Sequence, residues 1–236
     1  MSGGGPGFAG NGQPDGDRRR RRGGRGLMVP EAEFRSYYGR PVIKEPAWTI
    51  EVPWYFFVGG MAGAAAPLAV AARMAGNERL ARSAVTVAAA GVAVGTPLLV
   101  SDLGRPERFH HMLRVFKPTS PMNMGSWVLA GLGPSAVNAA LSEWFGIFPR
   151  LGRVAEVVSG LLGPALSTYT AVLVANTAVP VWHEAGRELP LVFAGSAMAS
   201  AGAATALLTP AADAGPARRL AVVGALVELG AVGAME

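Results

Sequence analysis

Two short stretches of this sequence concentrate groups that can hold or pass protons. The first reads Trp48-Thr-Ile-Glu51-Val-Pro53-Trp54-Tyr55-Phe56-Phe57. Glu51 and Tyr55 lie four residues apart, so on a helix they share a face, and Pro53 suits a first helical turn. A carboxylate beside a phenol and two indoles, Trp48 and Trp54, can bind and protonate a polar headgroup. An aromatic belt with an ordinary acidic residue favoured by the helix dipole gives the same pattern.

The second stretch, Asp102–Lys117, is denser in ionisable groups: Asp102, Arg105, Glu107, Arg108, His110, His111, Arg114 and Lys117. Asp102 closes a long apolar run, where desolvation raises a carboxyl pKa and a neighbouring arginine such as Arg105 lowers it. His110 and His111 belong to the residue type that titrates near neutral pH. Adjacent histidines point apart on a helix and make a poor metal pair, and no metal site is expected. The pattern Phe109-x-x-Met-Leu-x-x-Phe116 predicts a short amphipathic helix at a membrane surface. A solvated basic loop that anchors topology explains the arginines, though not the whole grouping. Polar side chains also enter apolar surroundings at Tyr169, Asn176 and Glu228. Tyr169 and Asn176, seven apart, roughly share a helical face, as reactive groups or as hydrogen-bonding glue between helices. Glu228 is costly in lipid and should face a bundle interior or a water path.

These groups have to be carried by helices that cross a membrane. Of the 236 residues, half are hydrophobic and 16% are charged, against roughly 25% charged in average soluble domains. Uncharged runs at Val52–Ala72, Ser83–Ser101, Pro118–Ser142, Val157–Trp182 and Leu189–Ala212 are each long enough to span about 30 Å of hydrocarbon. A sixth run begins near Leu220. The fold class is therefore all-α, a polytopic transmembrane bundle of about six spans. Gly59/Gly63 and Gly91/Gly95 are spaced for close helix packing, a spacing that chance also produces in a Gly/Ala-rich chain. Residues 1–41, rich in Gly and Arg, have too little apolar content to fold alone, which leaves 42–236 as the membrane domain. With alternating spans, 14 of the 21 basic residues fall on the side of the N-terminus and the 102–117 segment. The positive-inside rule then predicts a cell-membrane protein with a cytoplasmic N-terminus. A nucleic-acid role would need a basic face on a soluble fold, so none is expected. The chain has no cysteine, hence no disulfide and no thiolate-held iron–sulfur cluster of its own. With all three histidines at span edges, a transmembrane haem is a poor fit.

Several strings, taken together, resemble one known family. They are Glu51-Val-Pro53-Trp-Tyr55-Phe56-Phe57-Val-Gly59-Gly60, Ser101-Asp102-Leu-Gly104-Arg105-Pro106-Glu107-Arg108-Phe109 and Arg114-Val-Phe116-Lys117-Pro118-Thr-Ser120-Pro121-Met122. Gly125-Ser126-Trp127, Tyr169-Thr-Ala-Val-Leu and Thr177-Ala-Val-Pro180-Val-Trp182 complete the set. This ordered series is similar to the NrfD-like family of polysulfide-reductase and formate-dehydrogenase membrane subunits, over about residues 42–236. The resemblance implies a membrane anchor that exchanges electrons and protons with a diffusible quinone, menaquinone or ubiquinone. It also implies docking on a four-iron–four-sulfur ferredoxin-like subunit that serves a molybdenum- or tungsten-pterin catalytic subunit. Carried over by position, Glu51, Tyr55, Asp102, Arg105 and Tyr169 become site candidates. Glu51, Asp102 and His111 would act as acid/base groups, and Trp54, Tyr55, Arg105 and Tyr169 would contact the quinone. An assembly anchor or ion-translocating subunit without redox chemistry is the alternative. The family pattern is eight helices in two four-helix bundles, so with about six spans the chain is expected to be a piece with its second bundle incomplete.

Overall fold

A computed structural model of the chain describes residues 50–103, 105–176 and 179–235. The expected tail 1–41 lies outside the described residues, as does Trp48. Six long helices follow one another: α1 (Glu51–Met74), α2 (Glu78–Ser101), α3 (Pro121–Phe145), α4 (Pro149–Ala175), then, after the five-residue α5 (Pro180–Glu184), α6 (Leu189–Leu208) and α7 (Gly215–Gly233). A 3-10 helix, Pro106–Leu113, joins α2 to α3. There is no strand among the described residues. The class is all-α, as the apolar runs predict.

By length and composition, α1, α2, α4 and α6 are able to cross a membrane. Two further long helices stand where spans were expected. Of these, α3 is interrupted by Asn123, Ser126, Ser135 and Asn138, and α7 carries Arg218, Arg219 and Glu228.

Local chemistry sets the helix ends. The Asn77 side chain accepts from the Leu80 amide at 3.1 Å to open α2, and Ser120 accepts from Asn123 at 3.4 Å to open α3, both N-caps. Each helix from α3 to α7 has a proline in its first turn, where the missing N–H costs nothing. Gly146, at φ +67°, closes α3 in the left-handed region.

The uncharged runs differ from the helices in an instructive way. The run at Val157–Trp182 belongs to a helix that starts at Pro149 and stops at Ala175. Lack of charge marks the part of a helix suited to lipid, not its termini. Asn176 is the cap residue, with φ −81° and ψ 61°, so it has left the helical face it was expected to share with Tyr169.

Helix α1 is packed by α2, α4 and α6. The core beside it is built from small side chains, with Ala62, Ala65, Ala66 and Ala88 at 3% exposure or less. In lipid, apolar side chains gain little by leaving hydrocarbon, so close backbone approach matters more. A Cβ on Gly63 would stand 2.6 Å from the Gly163 carbonyl of α4. The Ser167 hydroxyl uses this closeness, donating to the Gly60 carbonyl of α1 at 3.1 Å. Gly91 meets the Val58 carbonyl in the same manner, and Gly95 faces Tyr55, so the Gly91/Gly95 spacing is a true packing face. Neighbours in the order α1 to α4 run antiparallel. The start of α1, the end of α2, the start of α3 and the end of α4 therefore share one end of the bundle, the Glu51 end. Met74, Glu78, Phe145 and Pro149 mark the other, the Arg73 end.

Candidate functional site

Tyr55 and Tyr169 meet inside the Glu51 end. Their hydroxyls are hydrogen-bonded to each other, although the residues are 114 positions apart. Tyr55 is 1% exposed, and Tyr169 packs on the same core. Glu51 opens α1 one turn earlier and is half-buried. Two phenols carry two O–H groups, and their mutual bond uses one. Among the described residues neither hydroxyl has another hydrogen-bond partner. Within the described residues the pair keeps one donor without a partner in a protected place, which suits a carbonyl oxygen that accumulates charge.

The pocket for the Tyr169 ring is made by a glycine. A Cβ at Gly125, on the first turns of α3, would overlap the ring carbons of Tyr169. Gly125→Ala is expected to push the ring aside, break the phenol pair and cost about 1–3 kcal/mol of stability, as overpacking does. The tyrosine bands of the ultraviolet resonance Raman spectrum would report the broken bond, and unchanged bands would show that the ring is not held there.

The remaining candidates spread along the face of the Glu51 end. Trp54 is 55% exposed and packs edge-on to Phe57. Asp102 caps α2 and is half-buried. Arg105 precedes the 3-10 helix and is exposed, as is His111 within it. Among the described residues neither Arg105 nor His111 is hydrogen-bonded to the phenols. A helix does form in the region of the expected amphipathic one, but it is 3-10 and spans Pro106–Leu113, so Phe116 lies beyond its end. His110 and His111 do not point apart as expected: their ring centroids are 4.4 Å from each other, at 75°. Both are exposed, so no core separates them, and edge-to-face packing of the rings is favourable.

Sequence reasoning missed two features. Asn123 pins the 102–117 segment onto α3. Its amide donates to the Met112 carbonyl at 2.8 Å and the Val115 carbonyl at 2.9 Å, while its oxygen accepts from the Lys117 amide at 2.6 Å. At the Arg73 end, one guanidinium gathers three helices around α1. Arg73 Nε contacts both oxygens of Glu156 on α4 at 2.9 Å, and Nη2 reaches Glu143 on α3 at 2.9 Å. Nη1 pairs with Glu78 on α2. Arg82 adds a second contact to Glu143 at 3.1 Å and lies over the Trp144 ring. The signal was present in Glu156, a carboxylate two turns inside α4, but arginines near span ends read first as topology markers.

Glu228 lines a cavity of about 230 Å³ between α1, α4, α6 and α7, together with Ser167, Ser196 and Ser200. It thus faces the bundle interior, as its cost in lipid requires. Among the described residues no three of His, Cys, Asp and Glu converge as a metal site.

A family model described as Polysulphide reductase, NrfD, matches residues 43–235. No curated protein matches the chain.

Proposed function

Since the chain belongs to the NrfD family of polysulphide reductase, a membrane subunit of oxidoreductase complexes, we propose that it exchanges electrons and protons with a quinone at the Tyr55–Tyr169 pair. The observation that carries this reading is the part-buried phenol pair, in which one O–H has no partner among the described residues. A quinone carbonyl would meet a donor there, and the two rings are seated by Gly59, Gly95 and Gly125, whose lack of side chains makes room for them. Such a quinone would supply two-electron, two-proton chemistry. The phenols orient the carbonyl and donate to it. Glu51, one turn toward the membrane face, relays protons between the pair and water. Asp102, at the end of α2, and the exposed His111 extend that acid/base route to the surface. Arg105 and Trp54 line its outer rim. Electrons come from outside this chain, which has no cysteine to hold a cluster. A four-iron–four-sulfur ferredoxin-like subunit is the proposed donor or acceptor, serving a molybdenum- or tungsten-pterin catalytic subunit. The proposed orientation puts the Glu51 end, the docking face and the N-terminus on the cytoplasmic side of the cell membrane.

The acid/base roles are tested with Glu51→Gln and Asp102→Asn in the purified complex. Each is expected to lower quinone-coupled turnover about a hundredfold, the lower end of the range for a positioned proton-transfer group. Full activity in both would remove these carboxylates from the route. An ion-translocating role draws separate support from Glu228 and the three serines around its cavity. It predicts that Glu228→Gln abolishes charge movement in vesicles without affecting quinone turnover.

A further inference from the structure

An apolar groove of about 540 Å³ lies between α2 and α3, on the side of the 3-10 helix. Ala93 and Val100 on α2 and Ala130 and Val137 on α3 form its walls, and Phe109 and Leu113 of the 3-10 helix close its top. It runs along α2 from Val92 to Val100, with Leu103 just past the helix end, and from Val137 back to Ser126 along α3. The eleven steps of 1.5 Å along α3 make about 16 Å, half of a hydrocarbon core of roughly 30 Å. The groove is thus about one leaflet deep, with its closed end at the membrane face.

The cations are on that closed end. Arg108, Arg114 and Lys117 are all exposed, and none is in an ion pair among the described residues. The backbone that carries Arg114 and Lys117 is pinned onto α3. Asn123 fixes the carbonyls of Met112 and Val115 and the amide of Lys117, and the Trp127 indole donates to the Val115 carbonyl at 3.3 Å.

We propose that this groove is a binding site for an anionic phospholipid, with one acyl chain in the groove and the headgroup phosphate held by Arg108, Arg114 and Lys117. Both halves of the site are needed by such a ligand and by no simpler one. An acidic protein face would meet the cations but leave a one-leaflet apolar groove unfilled. An isoprenoid tail would fill the groove but has no charge for three cations. The proposal stands independently of the quinone site, since it uses none of the residues assigned there.

The test uses the purified complex in mild detergent, titrated with phosphatidylglycerol or phosphatidylcholine and read by native mass spectrometry. Wild type is expected to retain phosphatidylglycerol in preference to phosphatidylcholine. The variant R108Q/R114Q/K117Q, which changes only exposed side chains, is expected to lose that preference by about fivefold per cation removed, as for basic residues at an anionic membrane surface. Ala130→Phe, which fills the groove, is expected to lower the occupancy of both lipids while the cations stay. The proposal is overturned if wild type shows no headgroup preference, or if both variants bind phosphatidylglycerol as wild type does. It is equally overturned if the charge variant sheds partner subunits with lipid binding unchanged, which would make the surface a protein dock. Loss of co-purified quinone from Ala130→Phe with phospholipid retained would assign the groove to a quinone tail instead.

Discussion

Tyr169→Phe is expected to lower the quinone-coupled turnover of the complex about a hundredfold, the effect of removing one preorganised donor from a charge-stabilising site. The substitution keeps the ring that fills the space beside Gly125 and deletes only the hydroxyl bonded to Tyr55. Helix packing is therefore spared, and the remaining Tyr55 phenol has lost its partner. Tyr55→Phe should behave alike, because either hydroxyl can be the donor within the pair. If the two act as one unit, the double variant loses scarcely more than either single one. Additive losses would mean that the phenols contribute separately. Assembly and thermal stability should change by about 1 kcal/mol or less, since a net hydrogen bond contributes that much. An inactive variant that is also poorly assembled would not support the reading, and a fully active one would contradict it.

Arg73→Leu is the second large effect, and it falls on stability. Glu156 is 5% exposed, and both of its carboxylate oxygens are satisfied by Arg73 Nε at 2.9 Å. Removing the arginine leaves that charge buried and unpaired, a loss of roughly 3–5 kcal/mol for such broken pairs. Glu143 is affected less, because Arg82 still reaches it at 3.1 Å. Arg73→Leu/Glu156→Leu should recover most of the lost stability, since an apolar replacement of a buried pair is often neutral. Thermal unfolding of the purified complex would show the single variant well below wild type and the double variant close to it. Equal losses in both would mean that Arg73 acts through Glu78 and Glu143 rather than Glu156.

The two ends of the bundle differ in how legible they were. Uncharged runs marked five of the six long helices, and an apolar run broken by Glu228 marked the sixth, because excluding charge over most of a span's length is a requirement of lipid itself. Tyr55 and Tyr169 could be singled out by composition and by the family-like strings around them, but nothing in their spacing paired them. Their meeting depends on α1 and α4 crossing at Gly63 and Gly163, a three-dimensional outcome of small residues that occur throughout the chain. Asn123 stands out by no spacing in the sequence, yet its side chain closes three hydrogen bonds to a neighbouring segment. The Arg73 network was hidden for a different reason. Its five members, Arg73, Glu78, Arg82, Glu143 and Glu156, come from four helices, and each alone looked like an ordinary charge at a membrane boundary.

The Tyr55–Tyr169 site is tested most directly by labelling the purified complex with a photoreactive quinone and mapping the modified peptides. Labelling is expected within residues 51–60 of α1 and 163–175 of α4, suppressed by excess natural quinone and reduced in Tyr169→Phe. Labelling confined to residues 92–103 and 126–137, or competable labelling in α6 and α7 alone, would contradict a quinone site at the phenol pair.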